Sequence, residues 1–459
     1  MFRFNRKIKD SLGASRCMEF LNAINGWVWG PVTLTLIAFT GVYLMIGLRF
    51  MPLRRLGFAV QAMLDSVRRS NGEGDVSAFQ GLMTALAATI GTGNVAGVAS
   101  AIGVGGPGAV FWMWLVALFG TATKFGESLL AVHFRETDPL GEHVGGPMYA
   151  IRNGLGPHWA WLGTLFAIFG TLAGFGIGNG VQAHELANAL DDYGIPNLLT
   201  GVVMAAITFA VIIGGIERIG RIAGLVVPFM AVIYILGALW ILVTHLGAIP
   251  AALGLIVRDA FTGQAAAGGV VGVVIQKGIA RGVFSNEAGL GTAPIAQAAA
   301  RPGDPVLQGA VAMLGTVIDT LIICTMTALV IVISGQSSGG LAGVDMTKAA
   351  FAWGLPGGDH LVTFATILFT ATTILGWGYY SERCLEFLVG VGLPLTIFRL
   401  VWVAVVVVGA VATFSTVWTV ADILNGLMAL PNLVALLLLS PVVFRLTGAY
   451  RFSSRPEEG

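Results

Sequence analysis

Residues 105–120 of the chain read GGPGAVFWMWLVALFG, a Gly/Pro cluster followed at once by an apolar run rich in tryptophan. Glycine and proline both disfavour the interior of a helix, so the cluster predicts a turn after the apolar segment 79–103. Trp112 and Trp114 then indicate that the next helix begins at a membrane interface, where tryptophan side chains anchor. We therefore expect two consecutive membrane segments joined by this turn.

The composition agrees with a protein embedded in a lipid bilayer. The 459-residue chain is 56% hydrophobic and only 11% charged, whereas soluble domains carry about 25% charged residues. Its 25 basic and 24 acidic residues produce no strong field for binding nucleic acid. The three cysteines form no CxxC pair, so neither a disulfide framework nor a zinc site is indicated.

The apolar segments predict an all-α polytopic membrane protein. About twenty apolar residues span a bilayer as a helix, and by this rule we expect about eleven spans. They lie near 26–48, 79–103, 108–133, 158–189, 198–215, 222–246, 265–298, 306–335, 361–380, 392–413 and 419–446.

The distribution of basic residues predicts the orientation. With eleven spans, the basic loops all fall on one side, which the positive-inside rule assigns to the cytoplasm. These basic residues are Arg49, Arg54, Arg55, Arg68, Arg69, Arg135, Arg152, Arg218, Arg221, Arg383, Arg445, Arg451 and Arg455. We expect a plasma (inner) membrane protein with the N-terminus outside and the C-terminus in the cytoplasm.

The N-terminal segment opposes this orientation, because its basic residues would then lie outside. The basic residues are Arg3, Arg6, Lys7, Lys9 and Arg16. We give more weight to the later loops. The segment lacks the apolar core and cleavage site of a signal peptide, so we expect an amphipathic interfacial segment.

Two segments differ from the others because glycines interrupt them. The segment 79–103 contains Gly91, Gly93 and Gly97, and 265–298 contains seven glycines together with Pro294. Each glycine costs about 1 kcal/mol in a helix interior, so both segments are predicted to be broken helices. Paired interruptions indicate an inverted-repeat transporter. We expect a ten-helix core at 79–446, with residues 1–78 peripheral to it and a cytoplasmic tail at 447–459.

The motif Gly91-Thr92-Gly93-Asn94 is the strongest candidate for a binding site. Backbone N–H and C=O groups exposed at a helix break can bind the carboxylate and ammonium of an amino acid. Thr92, Gly93 and Asn94 are therefore candidate substrate-binding residues. The alternative is a close helix–helix contact, because Gly93 and Gly97 form a small-xxx-small pair.

A second polar group lies in the sequence GFGIGNGVQAHELA at 174–187. Phe175, Asn179 and Gln182 are candidate substrate contacts, and the two amides share a helix face. The alternative for the amides is an interhelical hydrogen bond. His184 and Glu185 begin a zinc-protease HExxH motif, but Asn188 replaces its second histidine.

The segment 361–380 reads LVTFATILFTATTILGWGYY and places Thr366, Thr370 and Thr373 along one helix face. Hydroxyl and carbonyl oxygens suit a hard cation such as Na⁺. The alternative is hydrogen bonding to carbonyls of the same helix.

Charged residues within the spans are functional candidates by default. Arg281 and Glu287 could form an ion pair that gates the cytoplasmic side, or could hold the broken helix to its neighbours. Asp319 is a third gating candidate, and it is either a proton site or a partner for Arg281.

Four segments resemble the alanine/glycine:cation symporter family, also called the sodium:alanine symporters, of the amino acid–polyamine–cation superfamily. They are the GTGN motif at 91–94, the run at 105–120, the stretch 278–300 containing FSNEAG, and TTILGW at 372–377. The resemblance implies a LeuT-like fold of five plus five helices and uptake of alanine or glycine driven by Na⁺, with H⁺ as the lesser alternative. It implies substrate contacts at Thr373 and Trp377. The candidate cation ligands are Ile90, Gly91, Thr370 and Thr373.

We expect the partners of the chain to be a small neutral amino acid and the lipid bilayer, with no nucleic acid and no obligate protein partner. We find no nucleophile–base set of the kind that would indicate an enzyme. We also find no repeated filter sequence of the kind that would indicate an ion channel. Recognition dominated by backbone atoms leads to the hypothesis that both enantiomers of alanine are accepted.

Overall fold

The computed structural model describes residues 18–68, 72–262, 271–412 and 415–452. Most of the predicted N-terminal interfacial segment, with its basic residues, and the last residues of the tail lie outside these ranges. The first helices are α1 (residues 18–28), α2 (Pro31–Gly47), α3 (Met51–Arg54), α4 (Leu56–Arg68), α5 (Ala78–Thr89), α6 (Val98–Gly105), α7 (Ala109–His133), α8 (Pro147–Leu155), α9 (Ala160–Ala173), α10 (Val181–Asp191) and α11 (Asn197–Ile212). The remaining helices are α12 (Gly215–Thr244), α13 (Ile249–Thr262), α14 (Val271–Asn286), α15 (Ala293–Ala298), α16 (Pro305–Thr316), α17 (Thr325–Ile333), α18 (Gly343–Gly354), α19 (Gly358–Val389), α20 (Leu393–Val411) and α21 (Ser415–Ala449).

Within the described ranges, eight helices are long and apolar enough to cross a membrane, and a bent pair brings the number to nine. Two of the predicted spans fall outside this set. The span 198–215 corresponds to α11, which has only 16 residues. The span 265–298 corresponds to α14 and α15, and its first residues lie outside the described ranges.

The bent pair is the predicted break in 79–103. A capping box at Ser77 and Gln80 starts α5. The helix ends at Thr89 because Ile90 adopts an extended backbone conformation, and the chain resumes at Gly93 with a bend of 55°. The glycine pattern thus correctly located the interruption.

In the described part of the predicted spans, three π-helical turns occur, at Gly93–Gly97, Gly174–Gly180 and Val317–Cys324. Short π-helical insertions often mark functional sites, because they redirect side chains and free backbone groups. Short 3₁₀ turns at Pro157–Trp159, Leu246–Ala248 and Gln336–Ser338 connect other helices.

Among the described residues, four short strands lie at the ends of the helices that carry the basic loops. They are β1 (Val76–Ser77), β2 (Glu136–Thr137), β3 (His143–Val144) and β4 (Ala300–Arg301). β1 pairs in parallel with β4, with Val76 opposite Ala300, and β2 pairs antiparallel with β3. Because β1 precedes α5 and β4 follows α15, this pairing ties together one end of each broken segment.

A buried ion-pair network fastens the β2–β3 hairpin to the end of α19. The Arg383 guanidinium lies 2.8 Å from the Glu386 carboxylate, 3.0 Å from Glu142 between β2 and β3, and 3.3 Å from Glu382. Arg399 of α20 pairs with the same Glu382 at 2.6 Å. The Arg383 side chain is only 5% exposed, so its charge depends on these carboxylates rather than on water.

We expect Arg383→Gln to lower the free energy of unfolding by about 3–5 kcal/mol, because it leaves buried carboxylates without their counter-charge. The matched control is Lys348→Gln, which removes an ion pair with Asp192, a residue 62% exposed. An ion pair with an exposed partner contributes about 0–1 kcal/mol to the free energy of unfolding. Thermal unfolding of the purified proteins in detergent measures both, and equal melting temperatures for the two variants would contradict the assignment.

Candidate functional site

The site is built around the break between α5 and α6. The last turn of α5 presents carbonyl groups and a partial negative charge, whereas the turn beginning at Gly93 presents N–H groups and a partial positive charge. Thr92 and Asn94 are buried, so both sets of backbone groups lie in the protein interior. The break can therefore attract a cation and an anion at neighbouring points.

Asn94 holds this break in shape. Its side-chain oxygen accepts a hydrogen bond from the Gly91 N–H at 3.0 Å. Its amide nitrogen donates to the Asp319 carboxylate at 2.7 Å and to the Asp319 carbonyl at 3.2 Å. Because both the oxygen and the nitrogen of the Asn94 amide are hydrogen-bonded within the protein, Asn94 positions the Gly91 backbone.

Asp319 joins the two broken segments. One carboxylate oxygen accepts from Asn94, and the other accepts from Ser285 at the end of α14 at 2.8 Å and from Thr320 at 2.7 Å. Asp319 is 0% exposed. Its three side-chain donors are uncharged, so the partnership with Arg281 that the sequence left open is replaced by hydrogen bonds from amide and hydroxyl groups.

Gln182 brings α10 to the break. Its amide nitrogen donates to the Thr92 hydroxyl at 3.2 Å and to the Ile177 carbonyl at 3.0 Å. Its oxygen has no hydrogen-bond partner among the described residues, and it lies 3.6 Å from the point where a Cβ on Gly91 would sit. An unpartnered buried acceptor beside exposed backbone is suited to a ligand that donates hydrogen bonds.

Of the three threonines on the predicted face of α19, Thr373 reaches the broken helix. Its hydroxyl lies 3.2 Å from the Ala87 carbonyl and 2.8 Å from the Phe369 carbonyl. Thr366 and Thr370 donate to carbonyls of their own helix, each at 2.8 Å. Thr366 and Thr370 therefore follow the alternative of hydrogen bonding within their own helix. Thr373 is the threonine whose hydroxyl lies near Ile90 and Gly91.

Phe175 and Asn179 contact α20. The Phe175 ring packs against Phe398 and Trp402, with ring centroids 5.3 Å and 5.2 Å away. The Asn179 amide donates to the Trp402 carbonyl at 2.8 Å. These contacts match the interhelical alternative for Asn179, although its side-chain oxygen has no partner among the described residues.

Trp377 packs beside the π-helical turn Gly174–Gly180, which contains Phe175 and Asn179. A Cβ placed on Gly178 would lie 2.2 Å from the Trp377 Cβ, so glycine permits the close approach of the two segments. The Trp377 side chain also hydrogen-bonds to Glu287. The Trp377 side chain thus lies between the π-helical turn Gly174–Gly180 and the second break.

The second break lies between α14 and α15. Glu287 has a left-handed backbone with φ of 57°, and its carboxylate accepts from Thr292 at 2.5 Å. The Gly289 N–H donates to Glu127 of α7 at 3.0 Å, and Asn432 of α21 donates to the Gly289 carbonyl at 2.9 Å. Two neighbouring helices therefore hold this break open.

Glu127, Asn432 and the buried Lys124 are absent from the sequence-based candidates. Lys124 is 2% exposed and lies within electrostatic reach of Glu127, Glu287 and Asp319. The available signal was the presence of charged residues inside an apolar span, which marks functional positions by default.

The Arg281–Glu287 ion pair, one of the two alternatives that the sequence left open, is not formed. No ion pair within 4 Å joins these residues in the described ranges of the chain, and Arg281 instead lies over the Phe284 ring at 5.4 Å. Six residues correspond to about 1.7 helical turns, which places the two side chains on different faces. The left-handed turn at Glu287 then directs its carboxylate towards Thr292.

Comparison with known proteins adds family and fold information. Residues 14–458 match a family described as the sodium:alanine symporter family. The chain is 47% identical over 440 residues to a sodium/alanine symporter, AgcS, of Methanococcus maripaludis, covering 94% of this chain and 97% of that protein. It is 37% identical to a probable sodium/glutamine symporter, GlnT, of Bacillus subtilis, covering 92% and 88%.

A solved structure shares the fold. It is a manganese transporter of Eremococcus coleocola, with a TM-score of 0.52 over 82% of each chain and 14% sequence identity. The prediction of an all-α polytopic membrane protein is confirmed by the apolar helices and by this likeness to a transporter.

Proposed function

Since this chain belongs to the sodium:alanine symporter family, we propose that it takes up alanine or glycine together with Na⁺ by alternating access. Membership makes the chain a transporter of the Na⁺-coupled amino acid class and confirms the resemblance of its four motifs. The observation that carries the proposal is the break at residues 90–93, where helix-end carbonyls, exposed N–H groups, Thr373 and Gln182 converge.

The proposed Na⁺ site lies between the end of α5 and α19. Unwound carbonyls and helix C-terminal ends coordinate Na⁺ in transporters built from broken helices. The carbonyls around Ile90 and Gly91 and the Thr373 hydroxyl supply such oxygens, and the Thr373–Ala87 distance of 3.2 Å shows that the two elements are close. Thr370 is a weaker candidate, because its hydroxyl contacts only carbonyls of its own helix, whereas the Thr373 hydroxyl also reaches the Ala87 carbonyl of α5.

The proposed amino acid site lies on the other side of the same break. The N–H groups of Thr92 and Gly93 would bind the carboxylate of the amino acid, because the Asn94 N–H already donates to the Gly91 carbonyl at 3.2 Å. The unpartnered Gln182 oxygen would accept from the ammonium group. Trp377 closes the pocket around a small side chain, with Phe175 and Asn179 completing the wall nearest α20. A pocket made mostly of backbone atoms supports the hypothesis that both alanine enantiomers bind.

Coupling follows from the shared backbone. Na⁺ at the α5 end orders the Gly91 segment, and the ordered segment is the one that binds the amino acid. Each ligand must then raise the affinity for the other by the same factor. Occupancy by both ligands permits the ten-helix core at 79–446 to rock towards the cytoplasm. Glu287 at the second break and Asp319, which bonds to Asn94 of the first break, are the proposed gating residues.

We also propose the orientation of the chain in the plasma (inner) membrane. The loops that carry the basic residues lie at the ends joined by β1 and β4, and the positive-inside rule assigns that side to the cytoplasm. The N-terminus is then outside and the C-terminus inside.

Proton coupling is the second candidate function. Asp319 is a fully buried carboxylate bonded directly to Asn94 of the break. Protonation of Asp319 would change the hydrogen bonds that set the shape of the binding segment, so a proton could replace Na⁺ as the driving ion.

We expect Thr373→Val to raise the Na⁺ concentration for half-maximal alanine uptake by about 10–100-fold. Loss of an interaction with a charged group costs about 1.5–3 kcal/mol, and each 1.4 kcal/mol is tenfold. Thr372→Val is the matched control, because the Thr372 hydroxyl donates to Leu368 and Phe369 of its own helix. Uptake by proteoliposomes over a range of external Na⁺ measures both. The same Na⁺ dependence in the two variants would exclude Thr373 as a ligand.

A further inference from the structure

We infer that a charged cleft beside the second break is an outer binding site for the zwitterionic amino acid, separate from the central pocket. This inference rests on the proposed function. The cleft has a volume of about 260 Å³ and is lined by α1, α14 and α21. Pockets for drug-sized ligands have volumes of about 300–1,000 Å³, so this smaller cleft suits a molecule of amino acid size.

The cleft contains both charges needed to bind a zwitterion. Lys277 and Arg281 of α14 and Asp422 of α21 line it and lie within electrostatic reach of one another. Among the described residues none of the three forms an ion pair within 4 Å. Two cationic groups are therefore available for a carboxylate, and one carboxylate is available for an ammonium group.

Neutral polar groups and a fixed ring complete the cleft. Asn25 of α1 lines it, and the buried side-chain oxygen of Asn25 has no hydrogen-bond partner within the portion of the chain that the structure describes. Gln276 donates to the Trp29 carbonyl at 3.1 Å, which fixes α1 against α14. The Phe284 ring lies 5.4 Å from the Arg281 guanidinium and limits its movement.

The cleft adjoins the central site through Phe284. This residue lines the cleft, and its ring lies 3.4 Å from the point where a Cβ on Gly93 would sit. Lys277 and Arg281 precede Ser285 on α14 by about two turns and one turn. The cleft thus lies on the side of the break away from β1 and β4, which is the outer side in the proposed orientation.

The test is equilibrium dialysis of the purified full-length chain against radiolabelled L-alanine in saturating Na⁺. We expect two alanine molecules per chain for the wild type and one for Arg281→Gln, with the affinity of the remaining site unchanged. Asp422→Asn is the second variant and should give the same result through the ammonium contact. Arg258→Gln is the control, because Arg258 is exposed on α13 and does not line the cleft.

One alanine molecule per chain in the wild type, unchanged in both cleft variants, would overturn the outer site. Na⁺-driven uptake by wild-type proteoliposomes separates this failure from failure of the proposed function. Uptake with a single binding site overturns the outer site alone. Absence of uptake overturns the proposed function and the outer site with it.

Discussion

Gly91→Ala should reduce Na⁺-driven alanine uptake by about 10–100-fold. A Cβ at this position would lie 2.7 Å from the Thr373 hydroxyl and 3.6 Å from the Gln182 oxygen, so it fills the space between the proposed Na⁺ and amino acid sites. Overpacking a buried position costs about 1–3 kcal/mol, and each 1.4 kcal/mol is tenfold. Initial uptake rates in proteoliposomes measure the effect.

Gly97→Ala is the control for this variant. It adds the same methyl group to the same broken segment, but the nearest atom is the Thr92 carbonyl oxygen at 3.8 Å, an ordinary contact distance. We expect uptake close to that of the wild type. Equal losses in the two variants would show that the segment tolerates no added methyl group anywhere, and the assignment of the pocket to Gly91 would fail.

Asn94→Ala should also reduce uptake by about 10–100-fold while the protein remains folded. The variant leaves the Gly91 N–H and one Asp319 oxygen without partners, and each unsatisfied buried group costs about 1–3 kcal/mol. The lost hydrogen bonds are those that fix the conformation of the break. The affinity for alanine should therefore decrease together with the uptake rate. Alanine binding at fixed Na⁺ and initial uptake rates are the two measurements.

Ser285→Ala separates the two roles of Asn94. It removes another donor to Asp319 but leaves the Gly91 N–H bonded to Asn94. We expect a smaller loss of alanine affinity than in Asn94→Ala. A loss as large as that of Asn94→Ala would assign the effect to Asp319 rather than to the Gly91 backbone.

The sequence predicted the features that depend on local chemistry. Clustered glycines at 91–97 are sufficient to predict a break, because glycine weakens any helix regardless of its neighbours. The spacing of Thr366, Thr370 and Thr373 predicts a shared face from helical geometry alone. The structure adds that Thr373 is the member of this face that meets the broken helix.

The features that the sequence did not predict depend on which helices pack together. Asn432 and Glu127 are 305 residues apart in the chain yet share a hydrogen bond, and no local pattern links them. The absence of the Arg281–Glu287 pair has a local origin instead, because the two side chains lie on different helix faces and the left-handed turn at Glu287 directs its carboxylate towards Thr292. Helix ends are also imprecise, because the span predicted at 198–215 corresponds to α11, which ends at Ile212.

The most direct test of the account exchanges the driving ion in one set of proteoliposomes containing the wild-type chain. Labelled L-alanine uptake is measured with an inward Na⁺ gradient at equal pH, and then with an inward H⁺ gradient without Na⁺. The account predicts accumulation above equilibrium with Na⁺ alone, and loss of that accumulation when an ionophore dissipates the gradient. Accumulation driven by H⁺ and indifferent to Na⁺ would contradict the proposed Na⁺ site at the end of α5.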